Sequence, residues 1–164
     1  IYIMNPTVYK LHQKPRTPKE AGIPKISISS ADVTHSGFKE DFNNFRFKKK
    51  DNDPNMAIMI LCMDIIDNLN KEGWPVKPGD LGENITLIDL PYDTIKPKQR
   101  YQIGAATVEI SLICDPCATL QVLSYVQKTN LKDFIKTLLK RRGWYAKVIE
   151  AGNIHVGDPV KFLF

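Results

Sequence analysis

The sequence has no apolar stretch long enough to cross a membrane as a helix: its longest, Met56 to Met63, is about one strand long, whereas a span needs roughly 20 residues. It shows no signal-peptide pattern. It opens on Ile1 rather than Met, so further residues are expected upstream. Cysteine is scarce. Cys62, Cys114 and Cys117 make an odd count without the spacing of a disulfide framework, so reduced thiols in a cytoplasmic setting are expected. There is no internal repeat and no low-complexity tract, and strands and helices do not alternate regularly, which argues against a doubly wound parallel sheet. Basic residues interleaved with aromatics on one face, the footprint of nucleic-acid binding, are missing. No flavin, haem or iron–sulfur motif is present, and nothing suggests pyridoxal phosphate.

What remains is ordinary for a soluble globular protein: 164 residues, 43% hydrophobic and 25% charged, enough for one domain over residues 1–164. The formal charge of +5 supports an anionic partner only weakly. Lys48-Lys49-Lys50 sits in a polar stretch and Lys140-Arg141-Arg142 ends a helical pattern. Both runs read as solvated charge.

Along the chain, Ile1 to Val8 suits an opening strand and Lys14 to Lys19 must be loop. Ile26 to Ser29 alternates as a half-buried strand does. Phe38 to Asn55 has no periodicity and reads as a long loop, a kind that often carries function. Met56 to Leu61 is a buried strand, and Ile65, Ile66 and Leu69 follow at helical spacing until Gly73. Asn84 to Ile88 is a strand after the Pro78-Gly79-Asp80 turn. Tyr101 to Ile103 and Thr107 to Ile113 form a hairpin about Gly104-Ala105. Residues 117–142 make a helical appendage, with Leu131, Phe134, Ile135, Leu138 and Leu139 on one face. Trp144 to Glu150 and Val160 to Phe164 close the chain. The fold expected is mainly β with flanking helices, as a closed or nearly closed barrel.

Three segments, in order, carry a family resemblance. The first runs from Trp74 to Ile85 around Pro78-Gly79-Asp80-Leu81-Gly82-Glu83-Asn84; the second is Pro116-Cys117; the third is Arg142 to Val148 with Gly152 and Gly157-Asp158. Together they are similar to the MOSC domain family, over about residues 20 to 163. Gly37-Phe38-Lys39-Glu40-Asp41 resembles an earlier family segment, although Glu40 stands where Gly is usual and Met56 where Arg is frequent. The resemblance implies a MOSC-type β-barrel and molybdenum-cofactor or sulfur chemistry, with Cys117 as metal ligand or sulfur carrier. The activity it suggests is reduction of N-hydroxylated compounds, with electrons from a separate donor protein.

The residue types suit that chemistry. A thiolate is a soft ligand and a nucleophile able to carry sulfur as a persulfide. Between a strand and a helix start, Cys117 is expected to feel the helix N-terminus. From the residues alone, a free cysteine is first a small buried hydrophobe. Cys114-Asp115-Pro116-Cys117 also reads as a dithiol, but without the βαβ context of thioredoxin-like proteins. Zinc would need two further ligands, and His12, His35, His155 and Cys62 are poorly spaced for it; the histidines read as surface or turn residues. Gly82, Glu83 and Asn84 either shape a turn or present polar partners to a pterin. Asn43 and Arg46 are candidates for an anion-binding arm in which Arg46 clamps the cofactor's phosphate. Lys48 to Lys50 are expected near the same cavity. Trp74 and Trp144 are packing anchors, with Trp74 also a candidate cofactor wall.

Overall fold

The computed structural model describes residues 4–164; the first three residues of the expected opening strand lie outside the described residues. Among the described residues eleven strands and three α-helices follow one another. In chain order they are β1 (Thr7–Gln13), β2 (Ile26–Ile28), β3 (Ser30–Thr34), β4 (Gly37–Phe38), α1 (Asn44–Lys49), β5 (Ile58–Cys62) and α2 (Met63–Lys71). Then come β6 (Ile85–Ile88), β7 (Arg100–Ile103), β8 (Ala106–Ile113), α3 (Gln127–Leu138), β9 (Trp144–Glu150), β10 (Gly152–His155) and β11 (Val160–Phe162).

Eight strands form one sheet in the order β11-β7-β8-β9-β5-β6-β1-β2, and β10-β3-β4 form a second. The expectation of a barrel is corrected here: among the described residues no sheet closes. The large sheet curls instead until the residues before β11 meet β1 through a bridge between Thr7 and Pro159, with Gly157 N–H donating to the Val8 carbonyl at 2.7 Å. Among the described residues one bridge joins β1, the neighbour of the β2 edge, to the chain before β11, where a full ladder would be needed for closure.

The middle of the sheet is the most apolar part. All five residues of β5 are buried, as a strand flanked on both sides and covered on both faces requires. It runs antiparallel to β9 and parallel to β6. Parallel neighbours need a crossover, and α2 supplies it, burying Ile65, Ile66 and Leu69 at the spacing of one helix face. The β7–β8 hairpin turns at Gly104-Ala105 as expected, with Ile103 opposite Ala106. α3 buries Phe134 and Leu138, whereas Leu139, which the periodicity placed on the same face, is 57% exposed because the helix has already ended.

Several other expectations are revised. The Phe38 to Asn55 stretch is not all loop. α1 forms there, capped by the Asn43 carboxamide oxygen, which accepts from Arg46 N–H at 3.0 Å. It buries no residue, so it leaves no hydrophobic period to read. β2 is an edge strand with Ile26 exposed. β3 and β10 pair across a long sequence gap, which local pattern does not reveal. After Cys117 comes only a 3-10 turn, Ala118–Val122, so the helical appendage begins at Gln127. His12 is buried rather than superficial.

Two features set up the site. β8 bulges between Ile110 and Ile113 against β9, and such an extra residue bends a strand out of its sheet. Residues 112–117 are thereby lifted to one rim. Gly143 has φ +133°, and a Cβ there would lie 2.8 Å from the Ile60 carbonyl oxygen. Only glycine allows so close an approach, which draws the start of β9 onto β5. Asn84 then locks three segments: its side chain accepts from Met59 N–H at 3.0 Å and donates to the His12 carbonyl and to Asp41 Oδ2 at 3.2 and 2.9 Å. Asn84→Ala strands these buried partners, and a loss of about 3 kcal/mol is expected, read as a lower urea midpoint at unchanged slope.

Candidate functional site

A cavity of about 750 Å³ opens between the bulged end of β8, the first residues of β9, and the segment around α1. Its polar wall includes Lys25, Asn43, Cys117 and Arg142, and its apolar wall includes Phe42, Met56 and Met59. That volume lies in the range of small-molecule and cofactor sites. Among the described residues no cluster of three or more His, Cys, Asp or Glu is placed to hold a metal. Any metal bound here would therefore lean on one thiolate.

Cys117 is half-buried, facing the cavity from the residue before the Ala118–Val122 turn. Its main neighbour is Arg142, whose Nη1 lies 3.2 Å from the sulfur. The same guanidinium donates from Nη1 to the Asp115 carbonyl at 3.0 Å and from Nε to the Leu81 carbonyl at 3.1 Å. It is 7% exposed. The reading of Lys140-Arg141-Arg142 as solvated charge is thus corrected at Arg142. Arg142 is internal, and Arg141 is paired with Glu72 at 2.6 Å. Burial alone would raise the Cys117 thiol, but the Arg142 charge and hydrogen bond, with the hydroxyl and N–H of Thr119, outweigh it and hold the thiol below its ordinary pKa. The acidifying group is a buried cation, not the long helix expected from the sequence.

The other two thiols are different. Cys114 is 2% exposed and lies 3.3 Å from the Tyr145 hydroxyl; burial pushes its pKa up despite Arg142 nearby. Cys62 is fully buried at the start of α2, and burial raises its pKa as well. Of the three, Cys117 alone combines access with a stabilised thiolate.

The sequence-derived candidates divide. Gly82 lines the cavity with Cys117, but Glu83 and Asn84 are buried beneath the turn. Glu83 is 0% exposed and accepts from the Thr86 hydroxyl at 3.3 Å. Asn43 lines the cavity while capping α1. Arg46 does not line it: its guanidinium donates to the carbonyls of Ser36, Asn52 and Asp53 at 2.7, 3.2 and 2.9 Å. Of the three lysines after it, Lys50 is on the wall. Trp74 packs on Phe134 at 4.7 Å. The sequence reading missed Arg142 as a functional residue and did not single out Lys25, which forms a buried ion pair with Asp41 at 2.6 Å. A cue to Arg142 was its place at the head of Gly143-Trp144 in the third family segment.

With the geometry established, comparison with known proteins places it. A family model for the MOSC domain matches residues 40–161, and the chain belongs to that family. Solved structures share the fold at low identity. The YuaD protein from Bacillus subtilis is 18% identical with a TM-score of 0.78, over 97% of this chain and 96% of that one. YiiM from Geobacillus stearothermophilus is 22% identical with a TM-score of 0.71, over 97% and 75%. YiiM from Escherichia coli is 16% identical with a TM-score of 0.66, over 99% and 71%. No curated protein sequence matches the chain.

Two outcomes follow from these contacts. Arg142→Met should raise the pKa of the Cys117 thiol, seen as a shift to higher pH in the profile of its alkylation rate. Arg142→Lys should restore part of the shift. Glu83 gives the second. Burial, with the Asp80 charge, pushes its carboxyl up to about 7 against backbone N–H bonds that favour ionisation. Below its ordinary value of 4.5 the folded and unfolded chains are both protonated. As pH rises to about 7 only the unfolded chain ionises, so this group withdraws stability, by about 3 kcal/mol once both have ionised. Glu83→Gln should remove that part of the decline, with melting temperatures of variant and wild type diverging between acidic and neutral pH.

Proposed function

We propose that the cavity is a molybdenum-cofactor site in which Cys117 is the metal ligand, serving reduction of N-hydroxylated compounds. One observation carries this reading: a half-buried thiol paired with a buried arginine on the wall of a cavity of cofactor size. The residues fit the group. A soft thiolate suits a soft or redox-active metal, and Lys25, Lys50 and Arg142 give the wall a positive lining for an anionic pterin. When bound, the cofactor would supply two-electron redox chemistry, with electrons from a separate donor protein.

The chain's own contribution is to present, orient and protect. Arg142 favours the ionised form of the sulfur and fixes it against the 115–117 backbone. Gly82, with φ +98°, keeps the floor of the cavity low; a Cβ there would stand 3.2 Å from Ile23 Cγ2. Asn43 and Lys50 offer the polar contacts first assigned to Arg46, whose fork is occupied by backbone carbonyls. Glu83 and Asn84 act from beneath, by holding the turn that carries Gly82. Phe42, Met56 and Met59 provide a water-poor wall.

A second reading uses the same thiolate as a persulfide carrier that hands sulfur on without turnover. Its support is the access and nucleophilic character of Cys117. A Cys114–Cys117 dithiol is the poorer fit, since Cys114 is buried against Tyr145. In a host that makes the cofactor, the wild-type chain should carry near-stoichiometric molybdenum. Cys117→Ser should lose it without a change in melting temperature, and Cys114→Ser should keep most of it. Metal analysis of the two variants side by side is the measurement. Equal loss from both would overturn the single-thiolate site.

A further inference from the structure

We infer that Cys117 and Arg142 form a sulfur-accepting site for small anionic sulfane donors, of which thiosulfate is the simplest. The inference rests on the persulfide reading of Cys117 and does not need molybdenum.

Arg142 carries the argument. Its Nε and Nη1 are spent on two carbonyls and the sulfur, but Nη2 makes no hydrogen bond among the described residues. The guanidinium is 7% exposed and lies on the cavity wall. A buried arginine with an unused N–H pair toward a cavity is a ready partner for an oxyanion, which can accept from its fork. Lys50 and Lys25 line the same cavity. Asp115 is the acidic residue on this wall, and the Lys25 charge is shared with Asp41. The balance still favours an anion, because the cation touching the nucleophile is buried and therefore little screened, and among the described residues no carboxylate pairs with it.

The step balances without an added oxidant. The Cys117 thiolate attacks the outer sulfur of thiosulfate, a new S–S bond forms, and the old one breaks. Its electron pair leaves on sulfite, whose oxygens meet the cationic wall. The product is a Cys117 persulfide, which a thiophilic acceptor such as cyanide discharges as thiocyanate, regenerating the thiolate.

Cys114 explains why the product persists. A second accessible thiolate would attack the persulfide, close a disulfide and release hydrosulfide. Here the neighbouring thiol is 2% exposed and held at the Tyr145 hydroxyl, so the outer sulfur stays on Cys117.

The test uses the full chain, reduced, desalted and treated with thiosulfate. The expected result is a mass gain of one sulfur atom on the Cys117 peptide, one sulfite released per chain, and reversal by cyanide. Cys117→Ser should gain nothing, and Cys114→Ser should load as the wild type does. Arg142→Met should slow loading about tenfold or more, with partial recovery in Arg142→Lys. A second readout holds even if those variants are destabilised. Iodoacetate and iodoacetamide attack the same thiolate but differ in charge, so their rate ratio reports the anion preference of the pocket apart from ionisation. It should fall about tenfold in Arg142→Met. Loading from uncharged elemental sulfur but not from thiosulfate would overturn the anionic-donor inference while leaving the persulfide reading intact. Loading from neither, with Cys117 still open to alkylation, would overturn both.

Discussion

The guanidinium of Arg142 joins the start of β9 to two stretches distant from it in sequence: the glycine turn, through the Leu81 carbonyl, and the rim, through the Asp115 carbonyl and the sulfur of Cys117. A buried cation is costly unless its donors are satisfied, and here backbone carbonyls and the Cys117 sulfur satisfy two of its nitrogens. The same contacts that make the charge tolerable fix where the thiol sits and what ionisation state it prefers. Positioning and activation of Cys117 are therefore one constraint. Its origin is geometric, because Gly143 lets β9 start hard against β5, and Arg142 is the residue just before it.

The glycine-rich turn acts at one remove. Its most family-like residues, Glu83 and Asn84, lie under the cavity rather than on its wall. Asn84 binds the segment before α1 through Asp41, which also accepts from Lys25 and from Lys14 N–H. The floor, the α1 wall and the entry of β5 are thus held by a single buried polar network. Such networks are sensitive to the loss of any member. Glu83 adds tension, since burial of a whole carboxyl favours its protonated over its ionised form, against the backbone N–H bonds that favour ionisation.

The three cysteines show how environment divides one side chain into separate roles. Cys62 is a core residue at the head of α2 and Cys114 belongs to a small cluster with Met56, Met59 and Tyr145. Cys117 stands where the β8 bulge has carried the chain out of the sheet. Two residues separate Cys114 from Cys117, yet one faces a core and the other a cavity. The intervening Pro116 cannot donate to a ladder, and the chain leaves its strand pairing there.

The sequence by itself determined the mainly β class, the buried β5 strand, the α2 helix and the β7–β8 hairpin, because each follows from a local period or turn signal; that α2 crosses between parallel strands was decided by the sheet. The family resemblance of the ordered segments, rather than any local rule, singled out Cys117 and the Gly82 turn. The sequence did not determine α1, whose six residues bury nothing, or the pairing of β3 with β10, which closes a contact across most of the chain. Arg46 and Arg142 could not be told apart as residue types. Both carry a planar charged fork, and only the folded backbone decides which carbonyls each fork meets. Tertiary structure turned Arg46 toward Ser36, Asn52 and Asp53 as a clamp on a surface segment. It turned Arg142 inward to a thiol 25 residues away in sequence. Such a contact depends on sheet order, a strand bulge and a glycine's close approach, none of which is encoded locally.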